Sequence, residues 1–262
     1  MKSKYITTLL TAAAVIFIST VGNSLHATET DERIEESARN SYLFKTYLSG
    51  DTIKTESKNG VVTLTGIVAD SAHRSLAADT VAGLPGVKSV DNKLEIKTAG
   101  PLEHSDEWIA RRVQSVLLFQ RSVSARGVQV SVLDGVVTLK GQAPDANQKE
   151  WATEYVQDID GVKAVKNEMI VATGIVPKPV DIISEKIDDA SITAQVKWLL
   201  LSHRSTSAIN TIISTNDGIV TITGVAKNAD EKMFVSKLVN DINGVSSVIN
   251  NMTLETTNVS SN

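Results

Sequence analysis

Asn59-Gly60-Val61-Val62-Thr63-Leu64-Thr65-Gly66 is the stretch on which the fold turns, because the 262-residue chain writes it three times. It returns as Asp134-Gly135-Val136-Val137-Thr138-Leu139-Lys140-Gly141 and as Asp217-Gly218-Ile219-Val220-Thr221-Ile222-Thr223-Gly224. A further glycine follows 20 residues after each copy, at Gly86, Gly161 and Gly244. The frame shifts by 75 residues and then by 83, with nothing inserted or lost inside it. Asn-Gly or Asp-Gly between two β-rich runs predicts a type I′ hairpin, whose two central residues need positive φ. Gly66, Gly141 and Gly224 end the returning strand, where a missing Cβ permits a bulge or a close backbone approach. Gly86, Gly161 and Gly244 follow a helical pattern and are expected as left-handed C-caps. All nine glycines are read as structural. Neither a Walker lysine nor a GxGxxG pattern accompanies them, so they form no phosphate cradle.

Outward from the hairpins, the repeat divides the chain into three modules of about 70 residues, each marginally stable by itself at that size. The boundaries read as 30–98, 105–173 and 187–256, with a proline-containing linker at 174–186 and a polar tail at 257–262. Residues 1–27 stand apart: Lys2 and Lys4 precede an apolar run from Ile6 to Val21, and small residues lead to Ala27. That pattern predicts a secretory signal peptide cleaved after Ala27. The run is shorter than the ~20 residues a membrane span needs. Export without a lipid-modified cysteine points to the periplasm. The chain has no cysteine at all, which excludes disulfides, thiolate metal sites and a cysteine nucleophile. Its formal charge of −4 becomes −6 once Lys2 and Lys4 leave with the leader. Residues 31–98, 103–173 and 181–257 carry −1, −2 and −3. An acidic chain lacks the footprint of a general nucleic-acid binder.

Each module opens with an amphipathic helix. Ser105 is the expected N-cap in the second, followed by Ile109, Val113, Val116 and Leu117 on one face. Asp188 caps the third, with Ile192, Val196, Leu199 and Leu200. Thr30 is the expected cap of the first, whose face of Ile34, Ala38, Ser41 and Tyr42 is thinner. A strand, the hairpin and the returning strand follow. The second helix begins at Asp70, Asp145 or Asn228, one frame position with three N-cap residues. Leu76, Trp151 and Phe234 share a core position in it, so the two aromatics are expected as core rather than as ligand platforms. A last strand closes each module. Helix, strand, strand, helix, strand is an α+β arrangement: three tandem α-β-β-α-β modules, each with two helices on one face of a three-stranded sheet.

The capped helix, the D/N-G-V-V-T-L-x-G hairpin, and a second capped helix ending in L/I-x-G-V-x-x-V-x-N resemble the BON domain. Asn92, Asn167 and Asn250 supply the final asparagine. With the leader, the chain resembles the osmotically inducible periplasmic proteins built from tandem BON modules, although three modules here exceed their usual two. The resemblance implies a non-enzymatic protein without cofactors. It also implies binding to phospholipid surfaces, support of the envelope under osmotic stress, and chaperone-like help to exported proteins.

The residues themselves offer no catalytic constellation. His73, His104 and His203 share no frame position and stand at no metal-ligand spacing, so they read as surface or capping histidines. No G-x-S-x-G elbow is present. One pattern does point to a partner. Trp108, Arg112, Ser115 and Phe119 follow i, i+4, i+7 and i+11 beside the core face of the second module's first helix, with Arg111 adjacent. A solvent-facing stripe of Trp, Phe and Arg suits a membrane surface, rings in the headgroup layer and guanidiniums on phosphates. Packing of the same stripe against a neighbouring module is the alternative. The expected partners are therefore phospholipid headgroups, through Trp108, Arg111, Arg112 and Phe119, or exported client proteins held by a chaperone or scaffold.

Overall fold

The computed structural model describes residues 21–97, 101–123, 127–172, 186–206 and 211–255. Most of the leader, nearly all of the 174–186 linker and the 257–262 tail lie outside these residues. In the first module, helix α1 (Val21–Asn40) and the short α2 (Tyr42–Lys45) precede strands β1 (Thr52–Lys58) and β2 (Val61–Val68), helix α3 (Ser71–Ala82) and strand β3 (Ser89–Ile96). The second module has α4 (Asp106–Phe119), β4 (Gln129–Leu133), β5 (Val136–Lys140), β6 (Gln142–Ala143), α5 (Ala146–Gln157), β7 (Ala164–Asn167) and β8 (Ile170–Val171). The third repeats it as α6 (Asp189–Ser202), β9 (Ile212–Asn216), β10 (Ile219–Thr223), β11 (Val225–Ala226), α7 (Ala229–Asn240), β12 (Ser247–Asn250) and β13 (Thr253–Leu254).

In every module the hairpin strands pair antiparallel and the closing strand adds in parallel, with the returning strand central. Inward residues such as Val62, Leu64, Val137, Leu139, Val220 and Ile222 are buried beneath the helices. The turns are type I′ as the Asn-Gly and Asp-Gly pairs require: Asn59 and Gly60 have φ of 55° and 80°. At Gly66 (φ 122°) a Cβ would lie 1.8 Å from the carbonyl oxygen of Thr52, so a close backbone approach fixes that glycine. After Gly141 and Gly224 the ladder resumes as the β6–β8 and β11–β13 pairs.

Two features recurring in all three frames hold each module together. The first-helix carboxylates Asp31, Asp106 and Asp189 reach back to the hairpin. Asp106 accepts from the backbone N–H groups of Asp134 and Gly135, both at 2.8 Å, and Asp189 does the same at Asp217 and Gly218. The closing-strand asparagines bind the second helix: Asn167 Nδ2 donates to the Lys149 carbonyl and Thr153 Oγ1, and its Oδ1 accepts from Met169 N–H. The caps at Asp70, Ser105, Asp145, Asp188 and Asn228 each accept from the backbone N–H three residues on.

Three sequence expectations are corrected, and the reading of His203 as a surface or capping residue is narrowed to the second. The second helices end at Ala82, Gln157 and Asn240 on right-handed C-caps, so Gly86, Gly161 and Gly244 do not cap them. These glycines do have positive φ, in the turn beyond the cap, because the first helix packs where a side chain would stand. A Cβ on Gly161 would meet Ile109 Cδ1 at 3.1 Å. Thr30 does not begin the first helix, since α1 is already helical from Val21. Trp151 and Phe234 are only half-buried against the core that fully encloses Leu76. His203 is no surface residue: it is buried as the C-cap of α6, with Nδ1 2.7 Å from the Leu199 carbonyl and Nε2 3.2 Å from that of Tyr155.

Candidate functional site

The modules pack on one another, and α6 lies at the centre. Ser191, Gln195, Trp198 and Ser202 occupy its second stripe and are all buried. The start of α6 meets module 1, where a Cβ on Gly83 would touch Ala190 at 3.2 Å. Asp188 Oδ2 accepts from Tyr42 N–H at 2.7 Å, and Ser191 Oγ accepts from Leu43 N–H at 3.2 Å. The orphan N–H groups of α2 are thus satisfied from another module, while its own Ser41 makes no side-chain cap bond.

Modules 2 and 3 meet across a local two-fold relation that also relates their sequences. Arg121 N–H donates to the Asp241 carbonyl at 2.8 Å and Arg204 N–H to that of Asp158 at 3.0 Å. Asn243 N–H donates to the Phe119 carbonyl and Asp160 N–H to that of Ser202, both at 3.0 Å. The side chains follow suit: Arg121 Nη2 donates to the Asn240 carbonyl and Arg204 Nη2 to that of Gln157. Ser122 bonds Asp241 and Ser205 bonds Asp158. Each bond maps onto its partner by the 83-residue shift with the modules exchanged. Glu154 and Lys237, themselves 83 apart, pair with each other on the axis. This seam was missed from sequence. Its signal was available in Arg-Ser at 121–122 and 204–205 and Asp at 158 and 241, where module 1 has Thr46-Tyr47 and Gly83.

The predicted stripe on α4 divides in two. Its lower half is sealed between modules: Phe119 is 2% exposed, edge-on to Tyr47 at 5.2 Å and to Trp198 at 5.5 Å. Buried Ser115 takes a 2.5 Å hydrogen bond with the Tyr47 hydroxyl, whose pKa burial pushes up to about 12. The expectation that Phe119 faces solvent is therefore not met, because its ring fills the junction of all three modules. The upper half opens into a cleft of about 450 Å³ between α3, α4 and α6, lined by Asp70, Glu103, Trp108, Arg111, Arg112 and Trp198 among others.

Within the cleft the two arginines differ. Arg111 is ion-paired, 2.8 Å from Glu107 and 3.4 Å from Asp70, and the Glu107 hydrogen bond raises its pKa. Arg112 forms no ion pair among the described residues, although Asp160 and Glu103 lie close enough to attract it. Its guanidinium lies 4.3 Å over the Trp108 ring, Nη2 donates to the Leu201 carbonyl at 2.9 Å, and Nε is buried without a hydrogen-bond partner. Burial lowers its pKa, against the attraction of Asp160 and Glu103. Half-buried Trp108 also meets His104, which bonds Asp160 at 2.8 Å. The cleft thus combines an indole face, a cation without an ion pair among the described residues, and apolar Pro101 and half-exposed Leu201 in its lining, with Leu102, next to Pro101, 83% exposed.

No catalytic arrangement is assembled among the described residues. Asp51 and His73 form a close pair at 2.5 Å, but the nearby Ser115 hydroxyl is committed to Tyr47 and donates to the Arg111 carbonyl. Among the described residues no group of three or more His, Asp or Glu side chains is placed to hold a metal ion, and no helix is long and apolar enough to cross a membrane.

Residues 30–98, 105–173 and 188–256 each match the BON domain family. The osmotically inducible protein Y of Escherichia coli is 34% identical over 122 residues, spanning 45% of this chain and 60% of the relative. A protein of Anaplasma centrale encoded in the gshII 5′ region is 28% identical over 138 residues, 53% of this chain and 87% of that one. The C-terminal domain of CdsD, the structural protein of the type III secretion system of Chlamydia trachomatis, aligns over 86% of this chain and 96% of its own at 20% identity, with a TM-score of 0.22. A TM-score this low carries no shared arrangement of modules.

Proposed function

This chain belongs to the BON domain family, and from that membership we propose that it is an exported, non-enzymatic stress protein that binds phospholipid headgroups at a membrane surface of the envelope. The likeness to an osmotically inducible protein supports the stress role. The signal-peptide pattern of residues 1–27 supports export to the periplasm, with cleavage after Ala27 leaving α1 to begin near Thr28. The observation that carries the lipid reading is Arg112, a cation over an indole face that forms no ion pair among the described residues and whose Nε is buried without a partner, in a cleft lined by half-exposed Leu201 and by Pro101, the neighbour of exposed Leu102. A lipid phosphate supplies the missing charge, and the apolar rim enters the headgroup layer.

The test is co-sedimentation of the mature protein with zwitterionic and anionic liposomes at low and high salt. Arg111 is already neutralised by Asp70 and Glu107, so Arg112→Ala and Trp108→Ala are expected to release the protein and Arg111→Ala to change little. With Arg112 the one cleft cation outside an ion pair among the described residues, and with the chain net acidic, added salt should weaken binding only modestly. Equal losses from both arginine variants would contradict the assignment. Failure to pellet with either lipid would refute the lipid reading and leave the cleft to segments of exported proteins. In that case the chain would act as a chaperone or scaffold.

A further inference from the structure

The outward faces of the three sheets offer a comparison internal to the chain. In module 1 this face carries Lys54, Glu56 and Lys58 on β1, with Asp91, Lys93 and Glu95 in register on β3. In module 2 it carries Lys140 and Lys166, and Lys140 pairs with Glu168 at 3.4 Å. In module 3, whose residues 181–257 are the most acidic of the three at −3, the same face has no charge among the described residues. Ile212 stands beside Thr223, Ser214 beside Thr221, and Thr221 beside Ile249, with Ile219 completing the patch. Ile212 is 72% exposed and Ile249 48%. The opposite side of these strands, with Ile213, Val220 and Ile222, is the one buried under the helices.

We infer that this uncharged outer face of module 3 is a self-association surface, on which a second copy of the chain docks sheet to sheet. A two-fold contact pairs residue i of one copy with residue j of the other and j with i, so a face that carries net charge meets its own sign across the contact. The mature chain carries −6, and the patch lets two acidic molecules meet with no charge on either side. It also carries no charge pattern with which to select a different protein. Three strands about 4.8 Å apart and some five residues long give roughly 240 Å² per copy. The total of roughly 500 Å² is under half of the ~1,200 Å² at which standard specific interfaces begin. The dimer is accordingly weak and set by concentration.

Sedimentation equilibrium of the mature protein from about 10 μM to about 1 mM tests it. The weight-average mass should climb toward that of a dimer with concentration, and high salt should not reverse the rise. Ile219→Lys and Ile249→Lys, both at exposed positions, should each hold the protein monomeric. Val61→Lys, at the frame position of Ile219 in module 1, should leave association unchanged. A monomer mass throughout the range overturns the proposal, as does a dimer that survives both module 3 variants or is lost equally in Val61→Lys. Loss of liposome pelleting on Ile219→Lys without any change in mass would assign the face to lipid and overturn it too.

Discussion

Replacing the closing-strand asparagines by alanine separates a family pattern from the physics beneath it, because the three copies differ in what they bind. Asn250 Nδ2 donates to the Lys232 carbonyl at 2.9 Å and to Ser236 Oγ at 2.8 Å, and its Oδ1 accepts from Met252 N–H at 3.0 Å. Asn167 makes the same three bonds with Lys149, Thr153 and Met169. Asn92 makes two longer ones, to the Arg74 carbonyl at 3.1 Å and from Leu94 N–H at 3.2 Å. The position that holds Thr153 and Ser236 is Ala78 in module 1 and offers no hydroxyl. At about 1 kcal/mol net for each part-buried hydrogen bond, Asn250→Ala and Asn167→Ala should each cost about 3 kcal/mol. In a chain of this size that is a Tm drop of roughly 6–12 °C. Asn92→Ala, with its more exposed and longer bonds, should cost about 1 kcal/mol. Ala78→Ser should return part of the difference by supplying the missing acceptor.

Urea titration followed by far-UV circular dichroism measures the free energies. Hydrogen exchange at Met252 and Leu94 reports whether the loss is local to the clamp. If Asn92→Ala destabilises as much as Asn250→Ala, the asparagine acts through something other than its count of hydrogen bonds, and the reasoning fails. Additivity is expected between Asn92→Ala and Asn250→Ala, which lie in different modules and share no partner.

Gly66→Ala should be the most damaging single substitution in module 1, at about 3 kcal/mol or more, because the new Cβ would sit 1.8 Å from a backbone oxygen at a φ of 122°; loss of soluble expression or of the folded baseline checks it. Arg121→Ala should destabilise more than Arg204→Ala in chemical denaturation: both keep their backbone bonds and lose one guanidinium bond across the two-fold seam, but Arg121 also loses a bond to the Val245 carbonyl at 3.1 Å and its ion pair with Asp241. Burial lowers the pKa of His203 below its ordinary 6.5, so its contribution is intact above that value and is lost as pH falls through the folded pKa. Thermal melts at about pH 7 and about pH 5 should therefore show a smaller acid loss in His203→Gln, which places at 203 the residue found at the symmetry-related Gln120. Burial raises the pKa of Asp241 at the same seam, so its contribution has the opposite sign and is present at low pH and lost as pH rises through the folded value.

The local structure was legible because its causes are local. A type I′ turn needs positive φ at two successive residues, and Asn59-Gly60 announces it without reference to the rest of the chain. The caps at Asp70, Ser105 and Asn228 likewise act within three residues of themselves. The third glycine was assigned to the wrong cause because its reason is not local. Gly161 is fixed by Ile109 and His104, more than fifty residues earlier, while the nearby helix end that seemed to need it finishes without it. Asp106 is a similar case seen from the other side: its recurrence at Asp31 and Asp189 was on the page, but its partner is a turn 28 residues away.

The candidate site shows how packing between modules separates residues that share one helical stripe. Trp108, Arg112, Ser115 and Phe119 are equivalent by the 83-residue shift to Ser191, Gln195, Trp198 and Ser202. In module 3 that face turns wholly inward, and its helix is apolar or small and polar around nearly its whole circumference, as a helix enclosed on all sides must be. In module 2 the equivalent helix stays amphipathic over its core face, and only the end carrying Ser115 and Phe119 is drawn into the junction by Tyr47 and Trp198. A guanidinium at Gln195 would be buried without solvent or carboxylate, at a cost of several kcal/mol. At Arg112 the same frame position lines a cleft, where Trp108 shields one face of the cation. Arg112→Gln therefore offers a control that alanine does not. It copies the residue module 3 already buries at this position, so it should keep the junction of modules intact while removing the charge. Unchanged thermal stability with lost liposome binding would separate recognition from packing at this residue. Lost stability with unchanged binding would make the guanidinium a structural strut and move the lipid contact elsewhere.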